Sequence, residues 1–119
     1  MKTRLFRIAI ATVLSIAAGS ALAQGGTLRI LVPYDPGSAV DVTSRMIADG
    51  LSKRTGRAVI VENRAGGMGM IAMNALLGAP ADGNTLLADT PASAINPSLF
   101  KDKVRYDPIK DLSPVAQMM

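Results

Sequence analysis

Residues 27–41 read TLRILVPYDPGSAVD and join an apolar run to a turn and then to a helical pattern. The run at residues 27–33 is rich in aliphatic and β-branched side chains and ends at Pro33, which predicts a buried strand. Aspartate, proline, glycine and serine at residues 35–38 predict a turn. Apolar residues then recur at helical spacing through residues 39–54, so the stretch predicts a strand–turn–helix unit.

The same alternation of strands and helices continues along the chain. Short apolar runs at residues 58–61 and 85–89 predict two more buried strands. Helical spacing predicts a second helix over residues 68–77 and a short third helix that ends near residues 96–97. The apolar residues 112–118 are a candidate fourth strand. This alternation is typical of α/β folds, in which helices cover a parallel sheet.

The start of the chain has the three parts of a secretory signal. A basic beginning is followed by an apolar run at residues 8–18 and by Ala-Leu-Ala at residues 21–23. We therefore predict a signal peptide over residues 1–23, cleaved near Ala23, and a mature part over residues 24–119. The apolar run is shorter than the roughly 20 residues that span a bilayer, so no stable membrane insertion is expected after cleavage.

Charge and residue types exclude several classes of function. The chain has 13 basic and 9 acidic residues, and Lys2, Arg4 and Arg7 belong to the signal peptide, which leaves 10 basic against 9 acidic residues. This balance gives no basic patch for nucleic acid. Without histidine or cysteine, the chain has no Ser-His or Cys-His catalytic pair and lacks the usual zinc ligands. We expect no enzyme activity, no metal site and no cofactor.

Three strand-to-helix junctions, at residues 33–41, 63–70 and 89–94, should lie on one edge of the predicted sheet, because parallel strands end on the same side. Each is rich in Gly, Ser, Thr or Pro and leads into a helix start. A helix start exposes unpaired amides and carries about half a positive charge, which suits an anion such as a carboxylate. The alternative is that these residues only form turns.

Other residues with chemical potential have simpler interpretations. The glycine-rich residues 66–70 match neither the dinucleotide-binding pattern nor the P-loop, which argues against a nucleotide. Ser38 has no histidine to activate it and fits a helix cap, and Asp41 fits a cap better than a general base or metal ligand. Arg45 and Arg64 are either partners of a ligand carboxylate or plain surface charges. Core packing is favoured over a copper site for Met68, Met70 and Met73.

Five sequence blocks, in order, carry a family resemblance that covers nearly all of the mature part. The chain resembles the tripartite tricarboxylate transporter receptor family, also called Bug-type periplasmic binding proteins. The blocks are residues 32–41 (VPYDPGSAVD), 61–69 (VENRAGGMG), 81–87 (ADGNTLL), 96–99 (NPSL) and 106–115 (YDPIKDLSPV).

The resemblance implies an α/β fold of the periplasmic-binding-protein type, in which two hinged lobes enclose a ligand. Members of the family are much longer, so residues 24–119 would form an incomplete first lobe. The implied function is a periplasmic receptor that binds a small carboxylate or related organic anion and delivers it to membrane permease subunits. Two alternatives stay open: a sensor that presents ligand to a signalling receptor, and a truncated, non-functional remnant.

The resemblance also assigns binding residues, position by position. One ligand carboxylate would rest on the first two junctions through main-chain amides and bridging waters. Ser38 stands where the family usually has a second glycine, which leaves the identity of the ligand open. The implied ligand-binding residues are Asp35, Gly37, Ser38, Ala39 and Asp41 in the first junction, Gly66, Gly67, Met68 and Gly69 in the second, and Thr90 and Ser93 in the third.

Overall fold

Strands and helices alternate strictly in the computed structural model, which describes residues 26–118. The predicted signal peptide and its cleavage site lie outside the described residues. The alternation confirms the predicted α/β class. The elements are β1 (Leu28–Val32), α1 (Ala39–Thr55), β2 (Val59–Asn63), a 3₁₀ turn (Gly67–Gly69), α2 (Met70–Leu77), β3 (Thr85–Leu87) and α3 (Ala92–Leu99).

The three strands form a parallel sheet in the order β2-β1-β3. In the register of this sheet, Ile30 of the central strand lies between Val61 of β2 and Leu86 of β3. Helix α1 packs on β2 and β1, and α2 packs on β3 and β1. Right-handed crossovers, the nearly universal form, place these two helices on opposite faces of the sheet.

The core is built around β1, the most buried element. On one face, Ile30 and Val32 pack with Ala48 of α1 and with Ala88, which follows β3. Alternation along the strand directs Leu31 to the other face, and its side chain is 1% exposed. Apolar burial on both faces of one central strand is typical of a parallel sheet with helices on each side.

Helix α1 has clear signals at both ends. The Ser38 hydroxyl accepts a hydrogen bond from the Asp41 amide, which caps the start, and Gly56 ends the helix in a left-handed conformation. The most buried positions of α1 are Asp41, Ser44 and Ala48 rather than its larger apolar residues. The spacing of apolar residues therefore predicted the helix correctly, but the helix turns small and polar side chains towards the sheet.

Two sequence-based expectations about the last part of the chain are wrong. Residues 112–118 form no strand in the described structure, and Met118 instead packs on the buried cluster around β1. The third helix does not end near residues 96–97 but continues to Leu99. No helix within residues 26–118 combines the length and the apolar character that crossing a bilayer requires.

A hydroxyl group explains how α3 continues through Pro97. Proline has no amide hydrogen, so the carbonyl four residues earlier, that of Ser93, loses its helical partner. The hydroxyl of Tyr106 donates to this carbonyl at 2.8 Å. Tyr106 is buried, and desolvation raises the pKa of its hydroxyl. The proline is therefore accommodated by a contact that also fixes one end of α3.

An arginine closes the amino-terminal edge of the sheet. The Nε of Arg57 donates to the carbonyl of Gly26 at 2.9 Å, and its Nη2 donates to the Asn84 side-chain oxygen at 2.5 Å. Gly26 precedes β1, and Asn84 precedes β3. One guanidinium therefore joins the entries of two strands at the edge opposite the carboxyl ends.

Candidate carboxylate-binding site

Three loops lie together at the carboxyl edge of the sheet. Loop 1 (residues 33–38), loop 2 (residues 64–69) and loop 3 (residues 88–91) follow β1, β2 and β3 in turn. Because both strand pairs are parallel, the three loops share one edge, which confirms the predicted convergence of the junctions. Loop 1 is central because β1 is the central strand.

Loop 1 contacts the loops on either side of it. The hydroxyls of Tyr34 in loop 1 and Thr90 in loop 3 are 3.2 Å apart. On the other side of loop 1, a Cβ added to Gly69 would lie 3.5 Å from the Cβ of Pro33. Loop 1 therefore contacts both neighbouring loops.

A buried carboxylate organises loop 1. Asp41 is 2% exposed and accepts hydrogen bonds from Arg45 Nε at 3.1 Å, the Gly37 amide at 2.9 Å and Asn63 Nδ2 at 2.8 Å. The bond from Arg45, followed by those from Gly37 and Asn63, holds the pKa of this carboxyl far below its usual range. Asn63 Nδ2 also lies 3.1 Å from the Tyr34 carbonyl. Asp41 thus ties loop 1 to the end of β2.

The substitution Asp41→Asn is expected to destabilise the chain at neutral pH and to flatten the acid side of its stability profile. The folded-state pKa of Asp41 lies below its ordinary value of 3.8, so the carboxylate stabilises the fold fully above that value. This contribution is lost as the pH falls through the folded-state pKa. The difference in the free energy of unfolding between the two chains should therefore shrink in acid. Urea denaturation followed by circular dichroism at several pH values measures it.

The exposed Asp49 supplies the control for this experiment. Asp49 forms a surface pair with Lys53 and its side chain is 65% exposed, so Asp49→Asn should change stability by less than about 1 kcal/mol. A difference between wild type and Asp41→Asn that stays constant down to the lowest pH would contradict the stabilising role of the Asp41 carboxylate.

Loop 1 presents free donors at the start of α1. The amides of Asp41 and Val42 bind the Ser38 hydroxyl and carbonyl respectively. The first four amides of a helix have no carbonyl partner within it, so among these residues Ala39 and Val40 supply the remaining first-turn donors. The macrodipole of α1 adds a partial positive charge at the same place. Val40 was not among the residues assigned from the sequence.

Loop 2 has an unusual backbone that exposes a second pair of amides. Its residues Gly66, Gly67, Met68 and Gly69 all have positive φ values, and Met68 has φ 54° and ψ 39°. The amide of Gly69 binds the Gly66 carbonyl at 3.1 Å, and that of Met70 binds the Gly67 carbonyl. The amides of Gly67 and Met68 begin the 3₁₀ turn and have no earlier carbonyl within it.

Loop 3 differs because its own carboxylate occupies the helix start. Asp89 accepts hydrogen bonds from the Thr90 amide at 2.7 Å and from the Ser93 hydroxyl at 2.5 Å. These contacts place a negative charge at the beginning of α3, where the dipole stabilises it. The start of α3 is therefore already occupied by a carboxylate of the chain itself, unlike the starts of α1 and of the 3₁₀ turn in loop 2.

The structure brings all the sequence-assigned residues to one edge, but in two environments. Asp41 and Ser93 are buried and hydrogen-bonded within the chain. The remaining residues are partly or fully exposed at the loops: Asp35, Gly37, Ser38, Ala39, Gly66, Gly67, Met68, Gly69 and Thr90. The assigned binding residues left out four residues of the predicted junctions that shape this edge: Tyr34, Val40, Asn63 and Asp89. Asn63 and Asp89 were detectable as polar residues at the ends of strands.

Comparison with known proteins gives this site a family context. The tripartite tricarboxylate transporter family receptor profile matches residues 43–119. A UPF0065 protein of Bordetella bronchiseptica is 44% identical over 93 residues, which cover 77% of this chain and 28% of the relative. BugT of Bordetella pertussis is 34% identical over 92 residues, covering 76% of this chain and 28% of BugT.

A solved structure described as a periplasmic transporter has the same fold. It superposes with a TM-score of 0.66 at 33% identity, over 72% of this chain and 29% of the other. The chain therefore spans under a third of the length of these similar proteins. It contains a parallel-sheet part of their α/β architecture. Because the family profile matches most of the chain, the chain belongs to the tripartite tricarboxylate transporter receptor family.

Proposed function

We propose that residues 24–119 form part of the first lobe of a periplasmic receptor that holds the carboxylate of a small organic anion. Residues 1–23 would direct export and be removed near Ala23. The complete receptor would close a second lobe over the ligand and deliver it to membrane permease subunits. The chain would bind its ligand without chemical change, without a cofactor and without nucleic acid.

One observation carries this proposal: two sets of amides without a carbonyl partner in their helix or turn lie at the same carboxyl edge of the sheet. The first belongs to Ala39 and Val40 at the start of α1, and the second to Gly67 and Met68 in loop 2. Amides at a helix start bind anions through hydrogen bonds and through the dipole. Asp89 fills the corresponding place in loop 3, which directs a ligand carboxylate to loops 1 and 2.

The test is a titration of the isotope-labelled, full 119-residue chain with succinate, followed by amide resonances. We expect saturable shifts at residues 39–40 and 67–68, with millimolar affinity because one side of the ligand stays in water. Uncharged succinamide at matched ionic strength is the control ligand and should leave these resonances in place. Equal responses to both compounds, or no response to either, would overturn the proposal.

A proline substitution removes one donor while leaving the helix intact. Ala39 is the first residue of α1, a position at which proline is well tolerated. The preceding Ser38 is extended with ψ 159°, which is the conformation preferred before a proline. Ala39→Pro should weaken succinate binding by about tenfold or more, as expected for a lost bond to a charged group. Ala39→Ser keeps the amide and is the matched control.

A further inference from the structure

A buried asparagine of α3 reaches the glycine-rich loop. Asn96 is 2% exposed, and its Nδ2 donates to the Met68 carbonyl at 2.9 Å across 28 positions of sequence. This side-chain contact joins α3 to loop 2. The acceptor, Met68, is the one residue of loop 2 that combines a side chain with a positive φ value.

Met68 needs such a contact because its conformation is unfavourable. A side chain with a Cβ is strained in the left-handed region, and this strain persists only when the surroundings fix it. The side chain of Met68 is 57% exposed, so its own packing supplies little restraint. The part-buried bond from Asn96 restrains the backbone directly, at the carbonyl of Met68.

A contact between Tyr106 and α3 also fixes the position of Asn96. Ser93 lies three residues earlier in α3, and its carbonyl receives the Tyr106 hydroxyl in place of the amide that Pro97 lacks. Tyr106 and Ser93 are both buried. The interior proline therefore anchors α3 to Tyr106, and α3 in turn presents Asn96 to loop 2.

We propose that Asn96 is a positioning residue: it holds Met68 left-handed, so that the loop 2 amides face the ligand carboxylate. This proposal rests on the proposed function for its ligand, but its conformational part stands without one. Asn96 does not touch the ligand in this arrangement. Tyr106 and Pro97 serve the same end by holding α3 in place.

The experiment replaces Asn96 with leucine, which has the same branching and the same number of side-chain heavy atoms but no donor. In the full chain without ligand, Asn96→Leu should move the Cα and Cβ chemical shifts of Met68 away from those typical of a left-handed backbone conformation. With succinate, the loop 2 amides should lose their response while those of residues 39–40 keep it. Asn74→Leu, on the exposed side of α2, is the control and should change neither property.

A rescue variant separates positioning from general destabilisation. Glycine adopts the left-handed conformation without strain, so adding Met68→Gly to Asn96→Leu should restore the loop 2 response at least partly. The proposal would be overturned if Met68→Gly failed to restore the response, or if Met68 kept left-handed chemical shifts in Asn96→Leu. If the wild-type chain shows no response to succinate, the proposed function fails. The chemical shifts of Met68 without ligand would still decide the conformational role of Asn96.

A second substitution covers the case in which Asn96→Leu does not fold. Asn96→Asp keeps the shape of the side chain and donates to the Met68 carbonyl only when its carboxyl is protonated. Loop 2 should then show the wild-type pattern of resonances in acid and a displaced pattern at higher pH. Tyr106 is the titratable group beside the Asn96 side chain, and the Asp89 carboxylate acts on Tyr106 in turn. A wild-type pattern at every pH would refute the role of Asn96.

Discussion

Leu31→Ala is expected to remove a large share of the free energy of unfolding of the chain. Leu31 is 1% exposed in the central strand, and truncating such a leucine costs about 3 kcal/mol, from lost burial and from the cavity left behind. A domain of this size has a total stability of only about 5–10 kcal/mol. Urea denaturation followed by circular dichroism should show a large fall in the transition midpoint.

The matched control is another aliphatic residue of the same sheet. Ile60→Ala removes the same number of atoms as Leu31→Ala. Because Ile60 of β2 is 53% exposed, however, this substitution takes away much less of the apolar surface that is buried on folding. We expect a loss below about 1 kcal/mol. Similar losses for Ile60→Ala and Leu31→Ala would mean that the packing around β1 does not dominate the stability of the chain.

Gly66→Ala is expected to cost about 2–3 kcal/mol and to rebuild loop 2. Gly66 has φ 112° and ψ 165°, a backbone region that is essentially restricted to glycine. A Cβ at this position would also lie 2.9 Å from the Cδ1 of Ile71, which is shorter than van der Waals contact. Denaturation measures the loss of stability, and the amide resonances of loop 2 report its change of structure.

Gly50 provides the opposite case within the same chain. It lies inside α1, where an added Cβ meets no atom within 4 Å. Gly50→Ala should therefore stabilise the chain by about 0.5–1 kcal/mol, through helix propensity and a less flexible unfolded state. If Gly66→Ala and Gly50→Ala changed stability equally, the strain assigned to the Gly66 position would be refuted.

The strands, the helices and the shared edge of the three loops were predictable because the sequence signals for them are local. An apolar run that ends at Pro33 indicates a strand, and the order of strands and helices determines which ends of the strands meet. The prediction of a fourth strand was wrong because composition alone does not determine strand pairing. Residues 112–118 have suitable composition, but they join none of the three strands of the described sheet.

The interior of the site was less predictable because its contacts join distant residues. Asp41 lies in a first helical turn, where a capping role is the usual expectation, yet its carboxylate binds Asn63 across 22 positions. The link between Asn96 and Met68 depends in the same way on the packing of α3. Periodicity shows which side chains are apolar, but it does not show which polar side chains are buried together.

Gly26, whose carbonyl Arg57 binds at the amino-terminal edge of the sheet, marks a place where the chain can be attached to other objects. Gly26 precedes β1, and loop 1 follows it, so the two lie at opposite ends of a strand about 15 Å long. A dye, a bead or a sensor surface coupled ahead of Gly26 would therefore leave the loop edge facing solution. Attachment at that end of β1 would leave the amides of loops 1 and 2 accessible in the succinate titration.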